Sequence, residues 1–305
     1  MEANLRWSAV TAVAPIAWGA NYYVTREFLP AEYPLYGGVL RALPAGLLLL
    51  AGCRKLPTGS WWWKSLLLGI LNMGGFFALV YVAAQRLPTS VASIVMATAP
   101  LVLMLIAWAV LAERPGVRHL AGAVVGVGGV SLMLLTASVE VDGLGLLASA
   151  GAMLMSCLGM VLAKRWSTEA GVLASTSWQL VGGGLVLLPL AVAVEGAPPA
   201  LDLPAVLAFG YVVVVATALS FAVWFAGMQR LPAATVGLIG LLNPVTGVLL
   251  GTAIAGEPLT PQQAFGLVLA LTGILLGRPT PPRPVPEEPA LPERADGLKP
   301  FRSLP

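Results

Sequence analysis

The side chains with the clearest chemical potential are four carboxamides set among apolar residues. Asn72, Gln179 and Asn243 lie inside long apolar stretches, and Asn21 lies near the end of another. A carboxamide in an apolar environment is costly unless it is hydrogen-bonded, so each should face protein or a water-filled cavity. These groups could recognise a small molecule by hydrogen bonding. An interhelical hydrogen bond is the alternative for each of them.

Five aromatic side chains accompany the carboxamides. Tryptophan and tyrosine present a large flat surface with one polar atom, which suits contact with an apolar or aromatic substrate. The same side chains also pack in ordinary helical cores, and that alternative stays open. They are Trp18, Tyr81, Trp178, Tyr211 and Trp224. Together with the four carboxamides, they are the substrate-path candidates.

Prolines and glutamates at helix-breaking positions are candidates for hinges and gates. Pro100 and Pro244 fall near the middle of apolar stretches, where each removes an N–H and clashes with the carbonyl four residues earlier. The resulting bend is either a structural kink or a hinge that shapes a cavity. Glutamates at stretch ends could cap a helix, pair with a cation or act as a gate. The full set is Pro88, Pro100, Pro232, Pro244, Glu113 and Glu257.

Arg41 is a charge inside an apolar stretch. Its guanidinium could reach outward to the membrane surface, pair with Glu27 or Glu32, or bind an anion. No Asp or Glu lies at the middle of any apolar stretch, so the usual carboxylate of an intramembrane proton relay is missing.

Covalent catalysis and metal chemistry have no support in the sequence. His119 is the single histidine, which leaves no Ser/His/Asp triad and no H-E-x-x-H motif. The G-x-x-x-x-G-K-[ST] loop of ATP-driven proteins is absent. No basic stripe with interleaved aromatics suggests nucleic acid. We therefore expect no enzyme activity, no cofactor, no metal and no nucleic-acid partner.

The elements that must position these residues are membrane-crossing helices. Only 10% of the 305 residues are charged, and the mean hydropathy is +0.86. A soluble domain is about one quarter charged, so lipid must face much of this chain. Each crossing needs about 20 mainly apolar residues. The sequence predicts an all-α integral membrane protein with ten spans: 8–25, 34–53, 64–85, 89–111, 117–136, 143–163, 171–194, 204–228, 233–256 and 260–277.

The loops predict the orientation in the membrane. With the N-terminus inside, nine Lys and Arg residues fall in inner loops and two in outer loops. Because basic residues favour the cytoplasmic side, both termini are expected in the cytoplasm, with the chain in the cell's inner membrane. Residues 278–305 contain nine prolines, which predicts a disordered cytoplasmic tail.

The two halves of the chain repeat each other. A shift of 144 residues aligns Gln85-Arg86-Leu87-Pro88 with Gln229-Arg230-Leu231-Pro232, Pro100 with Pro244, and Glu113 with Glu257. This predicts five-helix repeats over residues 1–140 and 141–277. Five is odd, so the second repeat enters the membrane inverted, an architecture that permits alternating access.

These residues resemble the EamA-domain members of the drug/metabolite transporter superfamily over all of the chain but the tail. Trp18-Gly19-Ala20-Asn21 is similar to the W-G-x-N of that family's first helix. Tyr81 to Pro88, then Pro100 and Glu113, is similar to the end of its repeat. The second copy is clearer, with Arg230-Leu-Pro-Ala-Ala, Asn243-Pro244, Gly256-Glu257-Pro-Leu-Thr260 and Gly266.

Two positions depart from the family pattern. Pro258 follows the second Gly-Glu where the family often has Arg or Lys, and Ala112 occupies the place of the first glycine. The resemblance implies ten helices, cytoplasmic termini and a central cavity between the halves. It also implies transport of amino acids, related metabolites or drugs, commonly outward.

We therefore expect a secondary transporter that moves small metabolites, such as amino acids or related compounds, by alternating access. Facilitated or exchange transport is the simplest hypothesis, because no mid-span carboxylate is present. Efflux of drug-like toxic compounds and a non-transporting membrane scaffold are the alternatives. The expected partners are a small-molecule substrate and the lipid bilayer, and the sequence specifies no oligomeric state.

Overall fold

The computed structural model of the chain describes residues 2–87, 89–134, 142–167, 170–254, 256 and 258–277. Within these residues, every regular element is a helix. Five helical rods come from each half of the chain. They are α1 (Glu2–Phe28), α2 (Pro34–Cys53), α3 (Trp61–Arg86), α4 (Thr89–Ala97 and Ala99–Leu111), α5 (Val117–Leu134), α6 (Gly143–Arg165), α7 (Val172–Glu195), α8 (Leu203–Arg230), α9 (Ala233–Gly240 and Leu242–Ala253) and α10 (Pro261–Leu276).

Most of these rods are suited to a bilayer. By length and composition, the eight from α2 to α9 could cross a membrane, counting α4 from Val91, whereas α10 is apolar but shorter. Large apolar side chains such as Leu147 (71% exposed) and Leu207 (67% exposed) cover the outer surface, where lipid would contact them. The all-helical membrane architecture is confirmed, and the number of ten spans stays a prediction. Pro88, Glu257 and the tail lie outside the described residues.

Two rods contain a turn of π-helix near their middle. These turns are Ile70–Gly74 in α3 and Val214–Leu219 in α8. The two turns are related by the same 144-residue shift that aligns the sequence repeats. A π-helical turn widens the helix and redirects main-chain carbonyls, and such turns often mark functional sites.

Two other rods are broken by the predicted mid-helix prolines. The break in α4 falls at Thr98, two residues before Pro100, and the break in α9 falls at Leu241, three residues before Pro244. At the first break the chain tightens to i→i+3 hydrogen bonds, with Leu101 N donating to Thr98 O at 3.0 Å. The proline ring cannot donate to the preceding turn, which explains why both breaks lie at corresponding places.

Glycines allow two helix pairs to approach closely. A Cβ on Gly122 of α5 would lie 2.6 Å from the carbonyl oxygen of Gly273 on α10. A Cβ on Gly69 of α3 would lie 2.6 Å from the main-chain nitrogen of Gly183 on α7. In lipid there is no hydrophobic driving force for helix association, so close packing must hold membrane helices together. Small residues permit that packing by bringing the main chains into contact.

The contacts between halves are exchanged in a two-fold manner. Helix α1 packs on α8 and α9, and its counterpart α6 packs on α3 and α4. Likewise α2 packs on α7, and α5 packs on α10. Corresponding helices of the two halves therefore make corresponding contacts with the opposite half, as expected of inverted repeats that share one interface.

One departure from the family pattern has a conformational consequence. Ala112, at the end of α4, has φ of 58°, in the left-handed region that favours glycine. Gly256, which the 144-residue shift aligns with it, has φ of 69°. Both copies thus use the same turn, and the first copy makes it with a side chain that disfavours the conformation.

Candidate functional site

Donors from the first half converge on the π-helical turn of α8. The indole N–H of Trp18 donates to the carbonyl oxygen of Ala216 at 2.9 Å. Arg41 donates to the same oxygen through Nη2 at 3.2 Å and to the hydroxyl of Thr217 through Nε at 3.1 Å. We name Trp18, Arg41, Ala216 and Thr217 the cationic bulge site.

The π-helical turn explains why this carbonyl is available. In a regular α-helix, the oxygen of Ala216 would be occupied by the N–H four residues later. The π-helical geometry instead directs the Ala216 carbonyl oxygen toward α1 and α2. The Arg41 guanidinium also lies 5.2 Å from the centroid of the Phe77 ring, a cation–π contact. Arg41 is about 10 Å from the start of α2, so this charge is held inside the bundle.

An aromatic wall adjoins the cationic bulge site. The Trp18 ring lies 5.1 Å from the ring of Phe221 and 5.2 Å from that of Trp224, measured between centroids. The Trp224 indole N–H points to the sulfur of Met160 on α6 at 3.4 Å. Tyr211 donates its hydroxyl to the carbonyl oxygen of Ala17 at 3.1 Å. Three sequence-predicted candidates, Trp18, Tyr211 and Trp224, thus lie around the α1–α8 contact.

The π-helical turn of α3 holds a second polar cluster. Asn72 donates through Nδ2 to the carboxamide oxygen of Gln179 at 2.9 Å. Gln179 donates through Nε2 to the carbonyl and hydroxyl oxygens of Ser175, each at 3.2 Å. Only 3% of Asn72 and 1% of Gln179 are exposed. We name Asn72, Ser175 and Gln179 the amide bulge site.

One acceptor of the amide bulge site has no protein partner. The Oδ1 atom of Asn72 is buried and makes no hydrogen bond. Gly159 of α6 lies directly against this carboxamide, so a Cβ there would collide with it. A buried oxygen without a partner is costly unless water or a ligand supplies a donor.

The remaining two carboxamides lie on α1 and α9, two helices that pack together. The side-chain oxygens of Asn21 and Asn243 are buried and also make no hydrogen bond. Gly19 of α1 packs on α9, where its Cβ would lie 2.6 Å from the main-chain oxygen of Asn243. Asn21 follows Trp18 by three residues, so both project from one face of α1. These acceptors are open to a donor-bearing ligand or to water.

Two aromatic candidates lie apart from both bulge sites. The Trp178 indole N–H donates to the carbonyl oxygen of Lys55 at 2.7 Å, and its ring lies 5.6 Å from that of Trp61. These residues line a groove at the face where α1 begins, which we name the N-terminal face. Tyr81 packs near the opposite face against the buried cluster of Leu35, Tyr36, Val39, Leu187 and Ala191.

The gating candidate Glu113 is part of an ion-paired junction at the N-terminal face. Its carboxylate lies 2.6 Å from Lys164 Nζ, and its second oxygen accepts from Ala233 N at 2.9 Å. Lys164 also donates to the carbonyl oxygen of Leu231 at 2.7 Å. The ends of α4, α6 and α8 and the start of α9, beside Pro232, therefore meet at one place.

Sequence reasoning missed several of these partners. Ala216 takes part through its main chain, which no side-chain pattern can reveal. Thr217 and Ser175 resemble ordinary small residues of a membrane helix. In the orientation argument Lys164 counts only as a basic loop residue, although a lysine in the last turn of an apolar helix is a signal for a specific partner.

Comparison with known proteins identifies the relatives. The EamA-like transporter family matches residues 5–135 and again residues 143–277. Protein PecM of Dickeya dadantii is 34% identical over 265 residues, covering 86% of this chain and 89% of the relative. The probable amino-acid metabolite efflux pump of Salmonella typhimurium is 27% identical over 281 residues, covering 86% of this chain and 91% of the pump.

One further relative and one solved structure extend the comparison. The uncharacterized inner membrane transporter YedA of Escherichia coli K12 is 25% identical over 271 residues, covering 86% of this chain and 88% of that protein. A crystal structure of another protein has a TM-score of 0.78 at 18% identity, and 89% of this chain and 96% of that one are covered. That likeness concerns the fold alone. Since the family matches both halves, the chain belongs to the EamA-like transporter family, whose members are membrane transporters in the drug/metabolite superfamily rather than enzymes.

Proposed function

We propose that the protein moves small metabolites, such as amino acids or related compounds, across the cytoplasmic membrane by alternating access. The observation that carries the proposal is the shared carbonyl of Ala216, which binds both Trp18 and Arg41. Side chains of the first half and main chain of the second half meet there, inside the bundle. A path between two inverted repeats would pass through such a junction.

The chemistry of the junction suits a molecule with both an acceptor and a donor end. A substrate carboxylate would compete with the neutral oxygens of Ala216 and Thr217 for the Arg41 guanidinium, because charge-assisted hydrogen bonds are the stronger ones. A substrate N–H would meet the buried oxygens of Asn21 and Asn243. The Salmonella relative named as an amino-acid metabolite efflux pump supports this substrate class.

Efflux of an apolar aromatic compound is a second candidate, and the aromatic wall favours it. The ring centroids of Phe221 and Trp224 lie 5.1 Å and 5.2 Å from that of Trp18, and such rings favour contact with another aromatic ring. A flat compound could stack there with few hydrogen bonds. The two candidates differ in the solute that exchanges, so one transport assay separates them.

The arrangement in the membrane is part of the proposal. We infer that both termini lie in the cytoplasm, because the basic residues concentrate in the loops of that side. The repeats would span residues 1–140 and 141–277, with a cytoplasmic tail after them. Tyr81 and Trp178, which lie apart from the bulge sites, would act at the two ends of the path.

Counterflow exchange in liposomes tests the function. The purified protein is reconstituted with unlabelled solute inside, and uptake of labelled amino acids, metabolites or drugs is measured. Asn243→Ala is the informative variant, because the Asn243 side-chain oxygen has no protein partner to lose. Leu249→Ala is the control on the same helix, since Leu249 is 45% exposed and faces outward.

We expect one solute class to exchange, and we expect Asn243→Ala to slow exchange by about tenfold, the equivalent of one lost hydrogen bond to a charged group. Leu249→Ala should exchange at the wild-type rate. Exchange that Asn243→Ala leaves unchanged would remove that residue from the path. If the folded protein exchanges none of the amino acids, metabolites or drugs tested, the result would favour the scaffold alternative.

A further inference from the structure

We propose that the cleft between α6, α7 and α8 is the entrance to the transport path at the N-terminal face, and that the Glu113–Lys164 ion pair is the latch that closes it. The buried amide bulge site behind the cleft would then be the first polar site that an entering substrate contacts. This inference rests on the proposed transport function, and it concerns where one end of the path opens.

The cleft leads from the face to the amide bulge site. A cavity of about 10 Å³ lies between the three helices, which is room for about one water molecule. Its walls include Lys164 of α6, Ser175 and Gln179 of α7, and Met228 of α8. One end is therefore a charged residue at the face, and the other is the buried carboxamide of Gln179. In the state seen here, the cleft is closed.

Lys164 closes the cleft by bonding to both halves. Its ammonium group pairs with Glu113 of the first half at 2.6 Å and donates to the Leu231 carbonyl of the second half at 2.7 Å. Its side chain is 15% exposed and that of Glu113 is 30% exposed, so the pair is partly sheltered from water. Glu113 also accepts from Ala233 N, which ties the start of α9 to the same point.

The site behind the latch is prepared for a ligand with a hydrogen-bond donor. Asn72 Oδ1 is buried, has no protein partner and lies within the same cluster as Gln179. The Phe225 and Met228 side chains supply an apolar wall to the cleft. An N–H or O–H group of a substrate would satisfy the oxygen of Asn72 once the cleft opens. A wholly apolar solute would leave that oxygen unpaired.

The position of the latch fits an alternating-access cycle. Opening the cleft requires the ends of α6 and α8 to separate, and Lys164 of α6 is bonded to the Leu231 carbonyl that follows α8. The ion pair with Glu113 of the first half holds the ammonium group at that carbonyl. Breaking it frees the Lys164 side chain from the mouth of the cleft. A partly buried pair that joins two moving bodies is a two-state element, which is the physical requirement for a gate.

Thiol labelling in nanodiscs tests the proposal without a substrate. Cys53 is replaced by Ala, Ser175→Cys is introduced in the cleft wall, and labelling by a water-soluble methanethiosulfonate is timed. Glu113→Gln and Lys164→Met each remove the ion pair, and the double variant removes both partners. Arg165→Met is the matched control, because Arg165 bonds to the Val110 carbonyl on α4 at 2.6 Å but does not line the cleft.

We expect the cysteine at 175 to react slowly when the latch is intact. Glu113→Gln and Lys164→Met should each speed labelling by about tenfold, and the double variant should be no faster than either single one, because all three remove the same interaction. Arg165→Met should leave the rate unchanged. Cys157, which is 3% exposed on α6, remains in place and should stay unreactive throughout.

Three results would overturn the latch. The cysteine at 175 could react rapidly with the pair intact, or its rate could stay within about twofold of the intact chain in both single variants. Alternatively, Cys157 could become reactive together with position 175, which would mean that the pair holds the fold and not a gate. Because labelling needs no substrate, these results are independent of the counterflow assay, and failure of either proposal is recognisable by itself.

Discussion

The two bulge sites occupy equivalent places and differ in charge. Arg41 lies about two turns into α2 and reaches the π-helical turn of α8, in the other half. Gln179 lies about two turns into α7 and reaches the π-helical turn of α3, again in the other half. The helix geometry is shared, but one site holds a cation and the other holds neutral amides.

This difference separates the features that the fold requires from the side chains that a substrate would contact. Both halves keep the π-helical turn and the crossing helix, so these features belong to the architecture. Neither half keeps the same side chains at the junction. A solute that crosses would therefore leave one electrostatic environment and enter another, with the cationic bulge site nearer the face opposite the N-terminal face.

The largest effect is expected when the charge is moved between the two sites. Gln179→Arg places a guanidinium where the native side chain is 1% exposed, which costs about 3 kcal/mol at membrane depth. We expect a fall in Tm of about 10 °C, or loss of folded protein on size-exclusion chromatography. The reciprocal Arg41→Gln should fold, because glutamine can still donate to Ala216 or Thr217. A well-folded, transporting Gln179→Arg protein would show that the amide site tolerates charge.

A smaller effect is expected from crowding the amide bulge site. Gly159→Ala introduces a Cβ against the Asn72 carboxamide, and overpacking of this kind costs about 2 kcal/mol. The Tm should fall by about 4–8 °C in a thermal unfolding scan. Gly210→Ala on α8 is the control, since its Cβ would meet nothing within 4 Å and the exchange favours the helix. Equal Tm values for the two variants would contradict the close contact.

An increase in stability is expected from changing Ala112, which makes the turn that glycine makes in the second copy. Ala112→Gly should stabilise the protein by about 0.5–1 kcal/mol, because glycine relieves the left-handed strain but adds unfolded-state entropy. Unfolding in a mild detergent should show a Tm about 2–4 °C higher. Ala121→Gly, at an exposed position within α5, should instead lower the Tm, since glycine weakens a regular helix. A fall in both variants would mean that the turn is unstrained.

The smallest effect is expected at the ion pair on the opposite face. Asp142 accepts from Leu144 N at 2.9 Å and pairs with Arg86 at 3.1 Å. The main-chain N–H of Leu144 and the Arg86 guanidinium hold the pKa of this carboxyl below its ordinary 3.8. Its stabilisation is thus present above pH 3.8 and is lost as the pH falls through the lowered pKa.

Asp142→Asn keeps the helix cap but loses this ion pair. The expected Tm difference at pH 7 is at most about 2 °C, because exposed pairs are weak, and it should vanish as the carboxyl of the parent chain becomes protonated. Thermal scans from pH 7 downward measure it. A difference that persists at the acid end would mean that Asp142 acts through something other than its charge.

Much of the arrangement was predictable from local patterns. The alignment of Pro100 with Pro244 predicted corresponding breaks, and both helices are broken within three residues of the prolines. Asn72 and Gln179 were singled out because carboxamides in apolar stretches need partners, and they are hydrogen-bonded to each other. Interhelical bonding was the alternative for these two residues. The open oxygen of Asn72 leaves their role in the path as a prediction.

The sequence by itself determined the helical membrane class, the two repeats and the residues that could not lie in lipid unpaired. Those properties depend on composition and periodicity, which are local. Only the tertiary structure decided that Arg41 meets Ala216 and that Lys164 joins Glu113 to Leu231. These junctions depend on main-chain carbonyls and helix ends from distant parts of the chain, and a carbonyl oxygen looks the same at every residue until the helices are packed.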